Sequence, residues 1–291
     1  MKLIVAMGQI NTVLGDVEQN LEKHLEFIER ARRGGADLIT FPELSLTGYA
    51  LQDLAPTVAC HPLPDDPVFN QLLVASQGID IQVGFVEEDE RNRFYIATAF
   101  LSEGKVRHVH HKVYLPTYGF FDEGRFFARG ESVRAFDTRF GRVGMLICED
   151  FWHASSPYML WLDGADLFLF ASASPGRGIT LPPQGAGPGR TESARWVNDI
   201  IRAYAGMFTT FVVHTNRAGF EDGVNFWGGS SAFSPDGEPL VNCLEHAEAL
   251  VLTELDLNQL HRTRTRLPLL RDERTSLVQR EITRITSNKD A

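Results

Sequence analysis

The chain has 291 residues, 43% of them hydrophobic and 23% charged, and carries a net charge of −10. This is the balance of a soluble globular protein that can bury a sizeable core. It excludes the clustered basic surface that nucleic acid requires, and no apolar run approaches the roughly 20 residues of a membrane span. Cys60, Cys148 and Cys243 are too few and too far apart for a disulfide framework or a cysteine zinc site. The start Met1–Gly8 lacks the apolar length and small-residue cleavage site of a secretory signal. A reducing, cytoplasmic setting is therefore expected.

The first strand is expected at Leu3–Ile10. A helix over Asn20–Arg33 follows, with Leu21, Leu25, Ile28 and Ala31 on one face and Gly34-Gly35 as its stop. Apolar runs at Leu38–Phe41, Ile79–Val86, Phe94–Leu101, Val106–His110, Val143–Ile147 and Leu167–Ala171 read as strands, with a hairpin turn at Ser102-Glu103-Gly104-Lys105. Pro157–Leu162 reads as a short helix. Pro182–Arg190 is rich in Gly and Pro but lacks the Gly-Lys-Ser/Thr ending of a phosphate cradle, so a loop near a site mouth is expected. Thr191 caps a second amphipathic helix, Thr191–Tyr204, with Ala194, Val197, Ile201 and Tyr204 on one face. Strands follow at Phe208–Thr215 and Ala249–Leu255, with a hairpin signal at Ser234-Pro235-Asp236-Gly237. Arg262–Ile285, interrupted by Pro268, reads as an extended arm and then a helix. Hairpins mixed with crossover helices suggest an α/β or α+β sandwich. No linker or repeat divides the chain, so residues 1–291 are expected to form a single domain.

Three islands carry residue types suited to chemistry. In Phe41-Pro42-Glu43-Leu44-Ser45-Leu46-Thr47-Gly48-Tyr49 a carboxylate follows a buried strand. In His111-Lys112-Val113-Tyr114-Leu115-Pro116-Thr117-Tyr118-Gly119-Phe120-Phe121-Asp122-Glu123 a lysine opens a dense aromatic run. In Ile147-Cys148-Glu149-Asp150-Phe151-Trp152 an apolar strand stops at a thiol. Taken singly, each has a plainer reading: a solvated glutamate, a surface lysine, an inert buried cysteine. His108 and His110 share a strand face, but no carboxylate or cysteine follows at ligand spacing, so no metal site is expected. Ser230-Ser231 lacks the Gly-x-Ser-x-Gly setting of a serine nucleophile.

As an ordered set the islands resemble the nitrilase superfamily of carbon–nitrogen hydrolases. Thr215–Gly219, Trp227–Ser231 and Leu267–Arg274 extend the resemblance over nearly the whole chain. It implies a four-layer αββα sandwich and an amidase with Glu43, Lys112 and Cys148 as catalytic residues. Glu43 would take the thiol proton, and the thiolate would attack an amide carbonyl. Lys112 and the backbone N–H of Glu149 would stabilise the oxyanion. Ammonia would leave behind a thioester, which water hydrolyses. Glu123 matches the family's second glutamate and is expected to bond Lys112 or the leaving nitrogen, with Tyr118 as a substrate contact. No metal or organic cofactor is required. A homodimer or higher even-numbered homo-oligomer is implied, with 262–291 as an arm at the interface.

The segments around Lys112 and Cys148 are most similar to glutaminase domains of glutamine-dependent NAD synthetases. The chain has no Ser-Gly-Gly-x-Asp-Ser ATP-binding loop, and Phe226-Trp227-Gly228-Gly229-Ser230 looks more like free-standing amidases. The expectation is thus a stand-alone amidase for small carboxamides. The alternative is a glutaminase that feeds ammonia to a separate synthetase subunit. Nitrile hydrolysis fits less well, because Cys148-Glu149-Asp150 stands where nitrilases show Cys-Trp-Glu. Hydrolysis of N-carbamoyl amino acids would want a cation such as Arg177 or Arg190. A non-catalytic binding protein would be expected to lose a triad member, and all three are present.

Overall fold

A computed structural model describes residues 1–176 and 191–287. Its first sheet contains β1 (Lys2–Gln9), β2 (Leu38–Thr40), β3 (Asp80–Glu88), β4 (Phe94–Ser102) and β5 (Lys105–His111). Further along are β6 (Ala135–Thr138), β7 (Gly141–Ile147), β8 (Leu167–Ser172), β9 (Phe211–Asn216), β10 (Ala218–Glu221), β11 (Val224–Trp227), β12 (Ser231–Phe233), β13 (Pro239–Asn242) and β14 (Ala249–Asp256). Among the described residues these make two six-stranded sheets, β14-β1-β2-β3-β4-β5 and β13-β12-β9-β8-β7-β6, and a separate β10-β11 hairpin.

Alternation along the strands determines how the sheets pack. In β1, Leu3, Val5 and Met7 join a core shared with Val143, Met145, Leu167, Leu169, Phe211 and Val213 of the second sheet. Ile4 and Ala6 point the other way, toward Phe27 and Ile28 of helix α1 (Val17–Arg33). Phe168, Phe170 and Val212 likewise face Leu160 and Ile201. The chain is thus a mixed α/β fold in which the two sheets share an inner core and carry helices on their outer faces.

The helices follow local signals. Asp16 caps α1 by accepting from Gln19 N–H, and Gly35 beyond its end takes φ +78°. The four-residue α2 (Ala55–Val58) precedes α3 (Pro67–Ala75), where Asp66 is the cap and Pro67 the first residue. After the short α4 (Glu123–Phe126), α5 (Ser155–Leu162) and α6 (Glu192–Met207) cover the second sheet, with Thr191 capping α6 as expected. The chain ends in α7 (Asn258–Arg266), α8 (Leu269–Asp272) and α9 (Thr275–Ser287).

Two expectations need correction. Phe208–Thr210 is not strand, because α6 runs to Met207 and β9 starts only at Phe211. Arg262–Arg266 is not an extended arm but the second half of α7. It is held there by buried Thr263 and by Arg264, which binds Asp166 at 2.6 Å and donates to the carbonyls of Ala165 and Thr209. In α1, Leu21, Leu25, Ile28 and Ala31 share the inner face as expected, Leu25 partly buried, and Asn20, His24 and Phe27 complete it. The Pro182–Arg190 loop lies outside the described residues. Among the described residues no helix is long and apolar enough to cross a membrane.

The fold places the ends of several strands together. Strands β1, β2 and β3 are parallel, and two antiparallel steps bring β5 into the same direction. In the second sheet β7, β8 and β9 are parallel. Glu43, Lys112, Cys148 and Ser174 each follow the C-terminal end of one of these strands, the position where open α/β sheets bind ligands. Gly84 in β3 lets the Glu43 segment lie close. A Cβ there would meet the Pro42 carbonyl oxygen at 2.3 Å and Leu44 N at 2.7 Å. Gly84→Ala is therefore expected to lower the urea-unfolding free energy by about 1–3 kcal/mol; a wild-type value would show that the segment has room to shift.

Candidate active site

Lys112 follows β5, and its ammonium lies 2.6 Å from Glu43 Oε1 and 2.7 Å from Glu123 Oε1. All three residues are at most 5% exposed. Burial pushes the Lys112 pKa down, but the Glu123 and Glu43 carboxylates outweigh it and hold the group well above its ordinary value. Lys112 is thus a permanent ammonium. The second oxygen of Glu43 accepts from Ala173 N–H at 2.9 Å, so the carboxylate is fixed at both ends. Burial, partly offset by Lys112, raises Glu123 to about 7. Tyr49 donates its phenol hydrogen to Glu123 Oε1.

Cys148 stands where β7 becomes a 3₁₀ turn, Cys148–Trp152, and adopts φ 46°, a region that non-glycine residues seldom occupy. Its sulfur lies 3.9 Å from Ser174 Oγ. Burial first, and then the Glu43 carboxylate, push the thiol well above its ordinary pKa despite the opposing Lys112 charge. The resting group is a thiol, and use of it as a nucleophile requires a base to take its proton.

Asp150 joins two of the islands. It is fully buried; Oδ1 accepts from Val113 N–H (2.9 Å) and Tyr114 N–H (3.0 Å), next to Lys112. Its Oδ2 accepts from Ile147 N–H at 3.1 Å, next to Cys148, and meets His110 Nε2 at 2.8 Å. His110 is thereby engaged, His111 pairs with Glu87 at 2.8 Å, and His108 stacks on Phe136.

The thiol opens into a cavity of about 350 Å³ lined by Tyr118, Phe121, Glu149, Trp152, Glu192 and Trp196, among others. Tyr118 donates to the Glu149 carboxylate at 2.8 Å. The structure therefore brings Glu43, Lys112 and Glu123 into direct contact and puts Cys148, Tyr118 and Glu149 around one cavity. Arg177 and Arg190 lie outside the described residues. Sequence reasoning assigned no role to Asp150, Ser174, Tyr49 or Glu192. Asp150 had a readable signal, an acidic residue two places after a cysteine that ends a buried strand. The others depend on partners distant in sequence.

The model of the carbon–nitrogen hydrolase family matches residues 4–265. The glutamine-dependent NAD(+) synthetase of Thermotoga maritima is 30% identical over 261 residues, covering 89% of this chain but 43% of the synthetase. The chain thus spans less than half the length of that relative. The structure of glutamine-dependent NAD+ synthetase from Acinetobacter baumannii superposes with a TM-score of 0.77 at 27% identity, over 89% of this chain and 47% of that one. An amidase from Nesterenkonia sp. AN1 superposes at 0.78 and 22% identity, over 96% of this chain and 99% of its own, which establishes likeness of fold.

Truncating Asp150 to Ala would leave the Ile147, Val113 and Tyr114 N–H groups unpaired. A loss of about 2–4 kcal/mol in chemical denaturation is expected, with Asp150→Asn milder because its carbonyl oxygen still accepts. Equal stabilities for Ala and Asn would contradict the bridging role.

Proposed function

Because the chain belongs to the carbon–nitrogen hydrolase family, we propose that it hydrolyses the side-chain amide of glutamine to glutamate and ammonia through a thioester on Cys148, and that the ammonia serves a synthetase. The observation that carries the chemistry is the buried ammonium of Lys112 between two carboxylates, beside a cysteine with φ 46°. Glu43 takes the Sγ proton as the sulfur bonds to the amide carbon. Lys112 and the Glu149 N–H receive the oxyanion, a contribution of about 3–4 kcal/mol per donor. The C–N bond breaks as Glu43 returns its proton to the nitrogen, and ammonia leaves. Water, deprotonated by Glu43, then attacks the thioester; the acid departs and the thiol regains its proton. A chain with three free, buried cysteines suits a reducing cytoplasm.

Glutamine is favoured because two acidic residues, Glu149 and Glu192, line the cavity, which suits a substrate bearing an α-ammonium group. The matched synthetases are themselves glutamine-dependent. A second reading is a stand-alone amidase for small carboxamides, which the Phe226-Trp227-Gly228-Gly229-Ser230 stretch suggests. Ammonia release from a panel of amides separates them. Glutamine should outpace propionamide, and the reverse order would establish the amidase reading. Cys148→Ala should abolish release without lowering the melting temperature; undiminished turnover would contradict the mechanism.

We also propose that the chain pairs with a second copy through its C-terminal segment. Helix α9 contains no buried residue, and Ile282 and Ile285 are 56% and 47% exposed. A helix of this length is marginal in water unless its apolar stripe is covered. Light scattering should give twice the 32.6 kDa chain mass, and Ile282→Glu should shift it toward the monomer; a monomeric wild type would refute the pairing.

A further inference from the structure

Behind the cluster lies a second buried ion pair that the mechanism does not use. Arg217, directly after β9, is 1% exposed and pairs with Glu221 at the end of β10 at 2.7 Å. Arg217 also donates to the Thr12 carbonyl at 2.9 Å and lies over the Phe226 ring at 4.5 Å. A buried pair is costly unless its remaining valences are used. Glu221 uses them on one loop: its Oε1 accepts from Tyr49 N–H at 2.9 Å and from Ala50 N–H at 2.7 Å. Gly48 allows this approach, since a Cβ there would sit 2.7 Å from Glu221 Oε2. The Tyr49 ring is held edge-on by Phe120, Phe121 and Phe226, and its hydroxyl meets Glu123.

Glu123 Oε1 therefore receives two donors, Lys112 Nζ and Tyr49 OH. Its other oxygen, Oε2, is buried and accepts no hydrogen bond from the described residues. An orphaned buried carboxylate oxygen is expensive in a resting protein and calls for a donor. We propose that Tyr49 is a positioning residue: its phenol, aimed by the Arg217–Glu221 pair, holds Glu123 as a carboxylate with one oxygen tied and the other presented to the –NH2 of the amide. The proposal rests on the active-site reading above. A protonated Glu123 could offer an O–H where the amide nitrogen needs an acceptor, and would leave Lys112 with a single anionic partner.

The groups facing Glu123 are Lys112 after β5, Glu43 after β2, Tyr49 on the loop before α2, and the Cys148 thiol; on its own helix Asp122 and Arg125 pair with each other at 3.9 Å. Burial raises the Glu123 pKa to about 7, while Lys112 and the Tyr49 hydrogen bond pull it down. Burial and the neighbouring carboxylates keep Tyr49 itself well above its ordinary value, so it acts as a donor throughout the working range.

The test is the titration of Glu123 followed by carbon-13 NMR of glutamate-labelled protein, assigned by difference with Glu123→Gln. Loss of a donor to the charged form should move the midpoint of Tyr49→Phe upward by about one pH unit. The acid limb of kcat/KM should move with it: activity falls several-fold near pH 7 and recovers to wild type near pH 9. Replacing tyrosine by 3-fluorotyrosine, whose phenol is the stronger donor, should move the midpoint downward, and it decides the matter if Tyr49→Phe does not fold. An unmoved midpoint, or a loss of activity equal at every pH, overturns the proposal. Because the titration needs no substrate, a protein that hydrolyses no amide but shows the shift refutes the function and leaves the inference standing.

Discussion

One ammonium ion inside the protein constrains the rest of the structure. Lys112 is fully desolvated, and only the carboxylates of Glu43 and Glu123, at 2.6 and 2.7 Å, make that tolerable. Removing either would leave buried charge uncompensated, a far larger penalty than losing a surface pair. The three residues come from two segments distant in sequence, Glu43 from one and Lys112 and Glu123 from the other, and the fold must deliver all of them to one point. The same cluster sets the state of the sulfur: with burial and a net surplus of negative charge around it, Cys148 rests as a thiol. Reactivity then depends on a base already in place.

The scaffold meets this demand with rigid parts. Parallel strand directions bring Glu43, Lys112, Cys148 and Ser174 to the same ends of their sheets. Asp150 couples the lysine segment to the cysteine turn through three backbone hydrogen bonds. Gly84 allows the Glu43 segment to lie against β3. The strained backbone at Cys148 is thus held by its surroundings, as a sparsely populated conformation must be.

Much of this was legible in the sequence, for identifiable reasons. Inner strands such as β1, β8 and β9 are buried on both faces and hold apolar runs that stand out. The hairpin at Glu103-Gly104 was equally clear, both residues taking positive φ. The short strands β6, β10 and β11 carry too little pattern to read, with four residues each, whereas β12 and β13 flank the hairpin signal at Ser234–Gly237. Helix α3 was missed although Asp66-Pro67 is a proper start signal, because the stretch is short and weakly patterned. Glu43, Lys112, Glu123 and Cys148 sit in local motifs and could be picked out. Tyr49 sits in one of those motifs, but its partner Glu221 lies 172 residues away and nothing local announces it.

The account stands on covalent chemistry at one sulfur. Acid-quenching the protein during glutamine turnover and mapping its peptides by mass spectrometry addresses that directly. A glutamyl adduct on the peptide containing Cys148, absent from those containing Cys60 and Cys243, is the predicted result. Continued ammonia release with Cys148 unmodified at every quench time and hydroxylamine trapping no glutamyl hydroxamate would contradict it.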